Sequence, residues 1–190
     1  MKINYLFILL FVIGFGFTMS AQKYGSTPAL KFGKTLNLGA GLGYGDYVGY
    51  AAPIIMLNME FDIARNVTLA PFIGFYTYSN TYYWGNPNYP YRYYSYRETG
   101  VPLGVKGVYY FDELLHANPK WNFYAGASLG LAFHKRVWDE GYYGDKTIVH
   151  AESPFYASAH VGARYLFTTK FGLYLDLSTT FSTFGLSFRL

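Results

Sequence analysis

Apolar residues alternate with mostly small or polar residues throughout the stretch Trp121-Asn-Phe-Tyr-Ala-Gly-Ala-Ser-Leu-Gly-Leu-Ala-Phe133. Successive side chains of a β-strand point to opposite faces, so a period of two indicates a strand with one apolar and one polar face. The apolar face begins and ends in an aromatic residue, and the other face is rich in Gly and Ser. Aromatic ends and a small-residue inner face are typical of a strand in a membrane barrel.

The same alternation recurs along the rest of the chain. The eight apolar faces fall within residues 36–44, 55–63, 69–75, 101–109, 121–133, 155–167, 171–177 and 184–190. A soluble β-sandwich also alternates, but its outer faces are wet and carry more charge than these small-residue faces. An even number of strands lets the sheet close with both termini on the periplasmic side, and closure satisfies every backbone hydrogen bond in lipid. We therefore predict an all-β fold, an eight-stranded antiparallel transmembrane up-and-down β-barrel.

The composition agrees with a membrane barrel and excludes several other classes. Of 190 residues, 52% are hydrophobic, 22% aromatic and only 14% charged, whereas roughly a quarter of residues are charged in ordinary soluble domains. The mean hydropathy of +0.07 is too low for a bundle of membrane helices. The absence of Cys excludes lipoprotein anchoring, disulfides and thiol chemistry. No long basic run accompanies the net charge of +4, so we expect no nucleic-acid partner.

The N-terminus is typical of a secretory signal peptide. Lys2 precedes an apolar core at 6–17, and small residues follow at Ser20 and Ala21. The apolar core is shorter than the ~20 residues that a membrane-spanning helix needs, which disfavours an uncleaved anchor. We predict a signal peptide over 1–21, with cleavage after Ser20 as the alternative, and a single barrel domain over 22–190.

The connections between the predicted strands alternate between long and short. Long connections lie at 45–52, 79–97 and 135–154, and tight turns lie at 64–66 and 168–170. Outer-membrane barrels have short periplasmic turns and long extracellular loops. Two connections deviate, because 112–120 is long for a periplasmic turn and 179–183 is short for an outer loop. We predict an integral bacterial outer-membrane protein with its long loops outside the cell.

Two segments carry a resemblance to a known family, namely Val101-Pro-Leu-Gly-Val-Lys-Gly-Val-Tyr-Tyr-Phe111 and Phe184-Gly-Leu-Ser-Phe-Arg-Leu190. Together with the signal peptide they resemble small outer-membrane β-barrel proteins of the OmpA/OmpX kind, most closely the barrel-domain family common in Bacteroidetes. The resemblance implies contact with outer-membrane lipid and insertion by the barrel-assembly machinery, and we expect a monomer. Such proteins usually end in an aromatic residue, whereas this chain ends in Leu190.

Ionisable residues occupy the predicted inner faces. The predicted lumen charge network consists of Glu60, Asp62, Lys106, Arg164, Asp176 and Arg189. An eight-stranded barrel is just wide enough to be filled by side chains, so opposite charges should pair there. We expect Glu60 to pair with Lys106 or Arg164, and Asp176 with Arg164 or Arg189. The network is interpreted either as a structural plug of salt bridges or as a functional group, namely a proton or ion path or a catalytic site.

Histidine is the other candidate for chemistry. His134 and His160 lie on inner faces, and His150 and Ser153 lie in the following loop. They suit a metal pair or a general base, but no spacing of nucleophile and base points to a known hydrolase. We therefore predict no catalytic residue, no metal, no cofactor and no enzymatic activity.

The second long loop is exceptionally aromatic. Its candidate binding residues are Tyr82, Tyr83, Trp84, Tyr89, Tyr91, Arg92, Tyr93, Tyr94 and Tyr96. Tyr and Trp offer rigid contact area with a polar tip, which suits recognition of an extracellular glycan or protein. The alternative is that the tyrosines only extend two strands beyond the membrane. We predict a structural or surface-interaction role, with a narrow porin or transport barrel, and then a lipid-modifying enzyme, as alternatives.

Overall fold

The computed structural model of the protein describes residues 32–43, 51–146 and 154–190. Its strands are β1 (Lys34–Gly43), β2 (Ala52–Ala64), β3 (Val67–Tyr83), β4 (Tyr93–Tyr110), β5 (Trp121–Trp138), β6 (Phe155–Leu166), β7 (Phe171–Ser178) and β8 (Phe181–Arg189). Each strand pairs antiparallel with the next, and β8 pairs with β1 to close the barrel. The predicted fold class is confirmed. The predicted signal peptide, residues 44–50, His150 and Ser153 lie outside the described residues.

The exterior of the barrel is apolar. The predicted apolar faces of all eight strands point outward, and side chains such as Ile55, Leu129 and Phe184 are 58%, 58% and 55% exposed. A water-soluble protein rarely leaves a continuous belt of such residues uncovered. The belt instead suits contact with hydrocarbon, and the protein is a transmembrane β-barrel. In the described ranges, no helix is long and apolar enough to cross a membrane.

The two rims of the barrel differ in height. At the turn end, β2 and β3 are joined through 65–66 and β6 and β7 through 167–170. At the loop end, β3, β4 and β5 continue past the apolar belt, whose last outward row is Phe75, Val101 and Phe133. We call the projecting parts, residues 77–83, 93–99 and 134–138, the extension.

The extension corrects the predicted strand boundaries. Residues 79–97 and 135–154 were predicted as loops, but Ser79 pairs with Arg97, Tyr83 pairs with Tyr93, and β5 continues to Trp138. The apolar alternation ends where the exterior leaves hydrocarbon, while backbone pairing continues because Thr, Ser and Tyr also suit strands. The connection between β3 and β4 is therefore only 84–92.

The connection between β7 and β8 is also shorter than the predicted 179–183. It contains only Thr179 and Thr180, because the Ser178 hydroxyl accepts the backbone N–H of Phe181 at 2.8 Å and holds a tight turn. At the turn end, the connection 111–120 is held by Asp112, whose carboxylate accepts the backbone N–H of Phe123 at 2.7 Å.

Tyrosine rings fill much of the lumen by lying across glycines of neighbouring strands. A Cβ on Gly162 would lie 2.3 Å from Cζ of Tyr124, and one on Gly100 would lie 2.2 Å from Cζ of Tyr76. Gly162 sits on β6 beside β5, which carries Tyr124. Because a ring can lie flat only where the adjacent residue lacks a side chain, the inward glycines set the packing of the lumen.

Candidate functional site

One buried ion pair crosses the lumen between Glu60 on β2 and Arg164 on β6. The Arg164 Nη2 donates to Glu60 Oε1 at 2.5 Å, and both side chains are almost completely buried. Asn37 Nδ2 donates to the same oxygen at 2.7 Å, and the Tyr110 hydroxyl donates to Glu60 Oε2 at 2.5 Å. These donors reduce the cost of burying the carboxylate. Of the two predicted partners for Glu60, the structure places Arg164 against it.

A second buried group is centred on Asp176 of β7. Lys106 Nζ donates to Asp176 Oδ2 at 2.7 Å, and the Tyr124 hydroxyl donates to the same oxygen at 2.9 Å. The other oxygen, Oδ1, lies 2.7 Å from His160 Nδ1, and His160 Nε2 lies 2.8 Å from Ser128 Oγ. Lys106, Ser128, His160 and Asp176 thus form a row across four consecutive strands.

The predicted pairing of Asp176 with Arg164 or Arg189 is wrong. Asp176 lies opposite Thr183 on β8, and Arg189 is six residues farther along that strand, which corresponds to on the order of 20 Å. Arg164 is held by Glu60 instead. Side chains from four different strands reach the same level of the lumen only through the stagger of the barrel, which sequence spacing does not encode.

Asp62 and Arg189 lie apart from both ion pairs. Asp62 Oδ2 accepts the backbone N–H groups of Phe32 and Gly33 at 2.9 and 2.7 Å. Arg189 donates to Asn122 Oδ1 at 3.1 Å and lies over the Phe32 ring. The predicted six-residue network is therefore divided into two ion pairs and two residues that anchor the turn end.

Sequence reasoning missed a third charged group, which lies inside the extension. Glu98 is completely buried and accepts Arg136 Nε at 3.0 Å, with a second contact from Arg136 Nη2. His134 Nδ1 lies 3.4 Å from Glu98 Oε1 and 2.8 Å from the Tyr76 hydroxyl. Glu98 escaped notice because its strand was predicted to begin later. The alternation of Tyr94, Tyr96 and Glu98 was the signal for it.

Above this group, an aromatic cluster covers the loop end of the barrel. We call it the aromatic cap; its members are Tyr82, Trp84, Tyr94, Tyr96, Trp138 and Tyr142. The rings meet mostly edge to face or tilted, as between Tyr82 and Trp138, whose centroids are 5.8 Å apart at 87°. Burial raises the pKa of Tyr142, whose phenol keeps its proton and donates it to the Asp145 carbonyl at 2.9 Å.

The remaining predicted loop residues lie on the outside. Tyr83, Tyr91 and Tyr93 are 53%, 68% and 66% exposed, and Arg92 is exposed. The half-buried Tyr89 ring packs against Trp84 in a tilted arrangement. The nine candidate binding residues therefore divide into an inner cap and an outer surface. We call Tyr83, Tyr91 and Tyr93 the outer tyrosines.

Buried apolar side chains fill the lumen below the cap. An apolar layer separates the cap from the Asp176 group; it consists of Ala52, Ile54, Phe72, Tyr76, Ala132, Tyr156 and Phe181. Beneath it, a cavity of about 20 Å³ is bounded by Lys106, Ser128, His160 and other lumen side chains. A space of this size holds a single water molecule. Across the described residues, no group of three or more His, Cys, Asp or Glu could hold a metal ion.

Comparison with known proteins finds no matching protein-family model and no matching curated protein. Several solved structures are similar to this chain. Neisserial surface protein A (NspA) superposes with a TM-score of 0.46 at 14% identity, over 83% of this chain and 96% of that one. The Yersinia pestis outer membrane protein Ail in a phospholipid bilayer nanodisc gives 0.42 at 9% identity, over 83% and 98%.

A crystal structure of Ail, the attachment invasion locus protein of Yersinia pestis, in complex with the heparin analogue sucrose octasulfate gives a TM-score of 0.41 at 9% identity. It covers 81% of this chain and 93% of that chain. These likenesses assign no ligand to this chain. The finer resemblance to OmpA/OmpX-like proteins of Bacteroidetes stays a prediction.

Proposed function

We propose that the protein is an outer-membrane barrel whose extension presents a binding surface outside the cell. The observation that carries the proposal is the folded extension itself. Its strands carry Tyr83 and Tyr93 on their outer side, and the third outer tyrosine, Tyr91, lies in the adjoining 84–92 connection against Tyr94 of the aromatic cap. Placing the loop end outside follows the rule that outer-membrane barrels keep short turns on the periplasmic side. A structural role in the envelope accompanies the binding role.

The order within the extension favours recognition over simple strand extension. Tyr83 and Tyr93 are paired across β3 and β4, and their ring centroids are 5.1 Å apart. Rings already held in place lose little conformational freedom when a ligand binds. Glycans bind to such exposed aromatic surfaces through ring stacking and phenol hydrogen bonds, so we propose an extracellular glycan as the ligand class.

Replacing the three outer tyrosines with serine is expected to weaken glycan binding at least tenfold, since loss of a single aromatic hot-spot residue costs about 2 kcal/mol or more. The purified barrel in lipid nanodiscs is tested on a glycan array. The matched control replaces Leu114 and Leu115, which are 72% and 55% exposed at the turn end, with serine. Equal binding by the triple variant, or a wild type that binds no glycan, contradicts the proposal.

We further propose that the lumen neither conducts ions nor catalyses a reaction. The row of Ser128, His160 and Asp176 has the hydrogen-bond geometry that serine hydrolases use. However, Ser128 is buried, its cavity of about 20 Å³ excludes any substrate, and Lys106 neutralises Asp176. The apolar layer argues against the porin alternative in the same way.

Two measurements on the wild type test the closed lumen. Planar-bilayer recordings are expected to show no stable single-channel steps, because the buried side chains of the apolar layer occupy the lumen. A fluorophosphonate probe is expected to leave Ser128 unlabelled, because the hydroxyl is not accessible. Single-channel steps, or labelling that Ser128→Ala abolishes, would reinstate the porin or the enzyme respectively.

A further inference from the structure

The outward face of the extension has an ordered chemical composition. Directly beyond the apolar row, the first row across β3, β4 and β5 is Thr77, Thr99 and Lys135, and the second is Ser79, Arg97 and Val137. Two cations surrounded by hydroxyl groups thus lie at the level where lipid headgroups meet the hydrocarbon. We call these two rows the cationic face.

Among the described residues, the two cations of this face have no carboxylate partner. Arg97 and Lys135 are exposed, and within the described ranges no carboxylate lies at ion-pair distance from either. On the inner side of the same strands, by contrast, Arg136 is paired with Glu98. Arg97 lies opposite Val137, two residues from Lys135, so the cations are diagonal neighbours. Their long side chains can therefore reach one anion placed between them.

A shallow groove makes the face concave. It has a volume of about 310 Å³ and is lined by Ser79, Ser95, Arg97, Val137 and Asp139, together with Tyr96 and Trp138. Asp139 marks the upper end, where its Oδ2 accepts the backbone N–H of Ser95 at 3.0 Å. This carboxylate repels an anion from the upper part of the groove, which leaves the part next to the membrane for it.

We propose that the cationic face binds a phosphoryl group on the headgroup of an outer-leaflet glycolipid. Arginine and lysine donate charge-assisted hydrogen bonds to phosphoryl oxygens, and the threonine and serine hydroxyls offer further donors. The outward row of Phe75, Val101 and Phe133 lies directly below and suits contact with the acyl chains of the same molecule. The ligand class is thus an amphipathic anion rather than a soluble one. The choice of leaflet rests on the proposed function.

The test measures, by native mass spectrometry, how strongly the detergent-solubilised barrel binds three ligands. They are lipid A, lipid A stripped of its phosphates, and inorganic phosphate. The variant Arg97→Ala/Lys135→Ala is expected to bind lipid A about thirtyfold more weakly than the wild type. The control Lys120→Ala/Lys170→Ala removes the same charge from exposed positions at the turn end and is expected to bind normally. Heat-modifiable mobility on gels verifies that each variant is folded.

The proposal requires that lipid A without its phosphates no longer binds to the barrel. It also requires that excess inorganic phosphate does not displace lipid A. It is overturned if the double variant retains lipid A like the wild type, if the stripped lipid binds equally, or if inorganic phosphate displaces the lipid.

Should the double variant not fold, the salt dependence of lipid A binding to the wild type still tests the proposal, because binding to two exposed cations must weaken as salt is added. Retention that is independent of salt overturns the proposal. This assay depends neither on the direction of insertion nor on the outer tyrosines, so its failure leaves the proposed function standing.

Discussion

Replacing Arg164 with leucine is expected to destabilise the barrel by about 3–5 kcal/mol, the usual cost of leaving one member of a buried ion pair alone. Glu60 would keep its hydrogen bonds from Asn37 and Tyr110 but would face the lumen without a cation at 2.5 Å. The measurement is urea unfolding of the protein in lipid vesicles, with the folded fraction determined from heat-modifiable mobility on gels.

The double variant Glu60→Gln/Arg164→Leu is the matched control, because it removes both charges. Its stability is expected to lie closer to the wild type than that of Arg164→Leu, since no charge remains unpaired at the site. If Arg164→Leu unfolds at the same urea concentration as the wild type, the ion pair contributes nothing to stability and the plug interpretation fails.

Replacing Gly162 with alanine is expected to cost about 1–3 kcal/mol by overpacking the lumen. The new Cβ would lie 2.3 Å from Cζ of Tyr124 and 2.5 Å from the Leu175 carbonyl oxygen, so the ring must move. That movement also breaks the hydrogen bond from Tyr124 to Asp176, a neutral-to-charged bond worth about 1.5–3 kcal/mol. Urea unfolding in vesicles again measures the change.

Gly107→Ala gives the comparison for this substitution. The nearest atom to a Cβ at Gly107 is the Ala127 carbonyl oxygen at 4.0 Å, so the same chemical change meets open space on the lipid-facing side. We expect Gly107→Ala to leave the unfolding midpoint unchanged. Equal losses for the two variants would show that general strand propensity, rather than the Tyr124 ring, determines the effect.

The part of the fold that touches lipid could be predicted from the sequence, because hydrocarbon forces every second residue to be apolar. Leu129 and Phe133 indicate the outward face of β5 in this way. The extension could not be predicted by the same pattern. Beyond Phe75, the outward residues of β3 are Thr77, Ser79, Thr81 and Tyr83, and this composition is equally compatible with a loop.

The pairing of charges in the lumen could be predicted from the sequence only in part. Alternation within each strand predicts that four side chains point into the lumen, those of Glu60, Lys106, Arg164 and Asp176. Which cation meets which carboxylate depends on the stagger between strands that are far apart in the sequence, as with Glu60 and Arg164. The row from Ser128 to Asp176 was missed for the same reason.

The order of strands around the wall has a consequence for how the chain assembles. Seven of the eight seams join strands that are consecutive in the sequence, and only the seam between β1 and β8 joins distant ones. Hairpins can therefore be added one after another at low contact order. The single non-local step is the last, when residues 181–189 meet 35–43, and its entropic cost grows only slowly with the length of chain enclosed. A chain that lacks β8 would stop at an open sheet with two exposed edges.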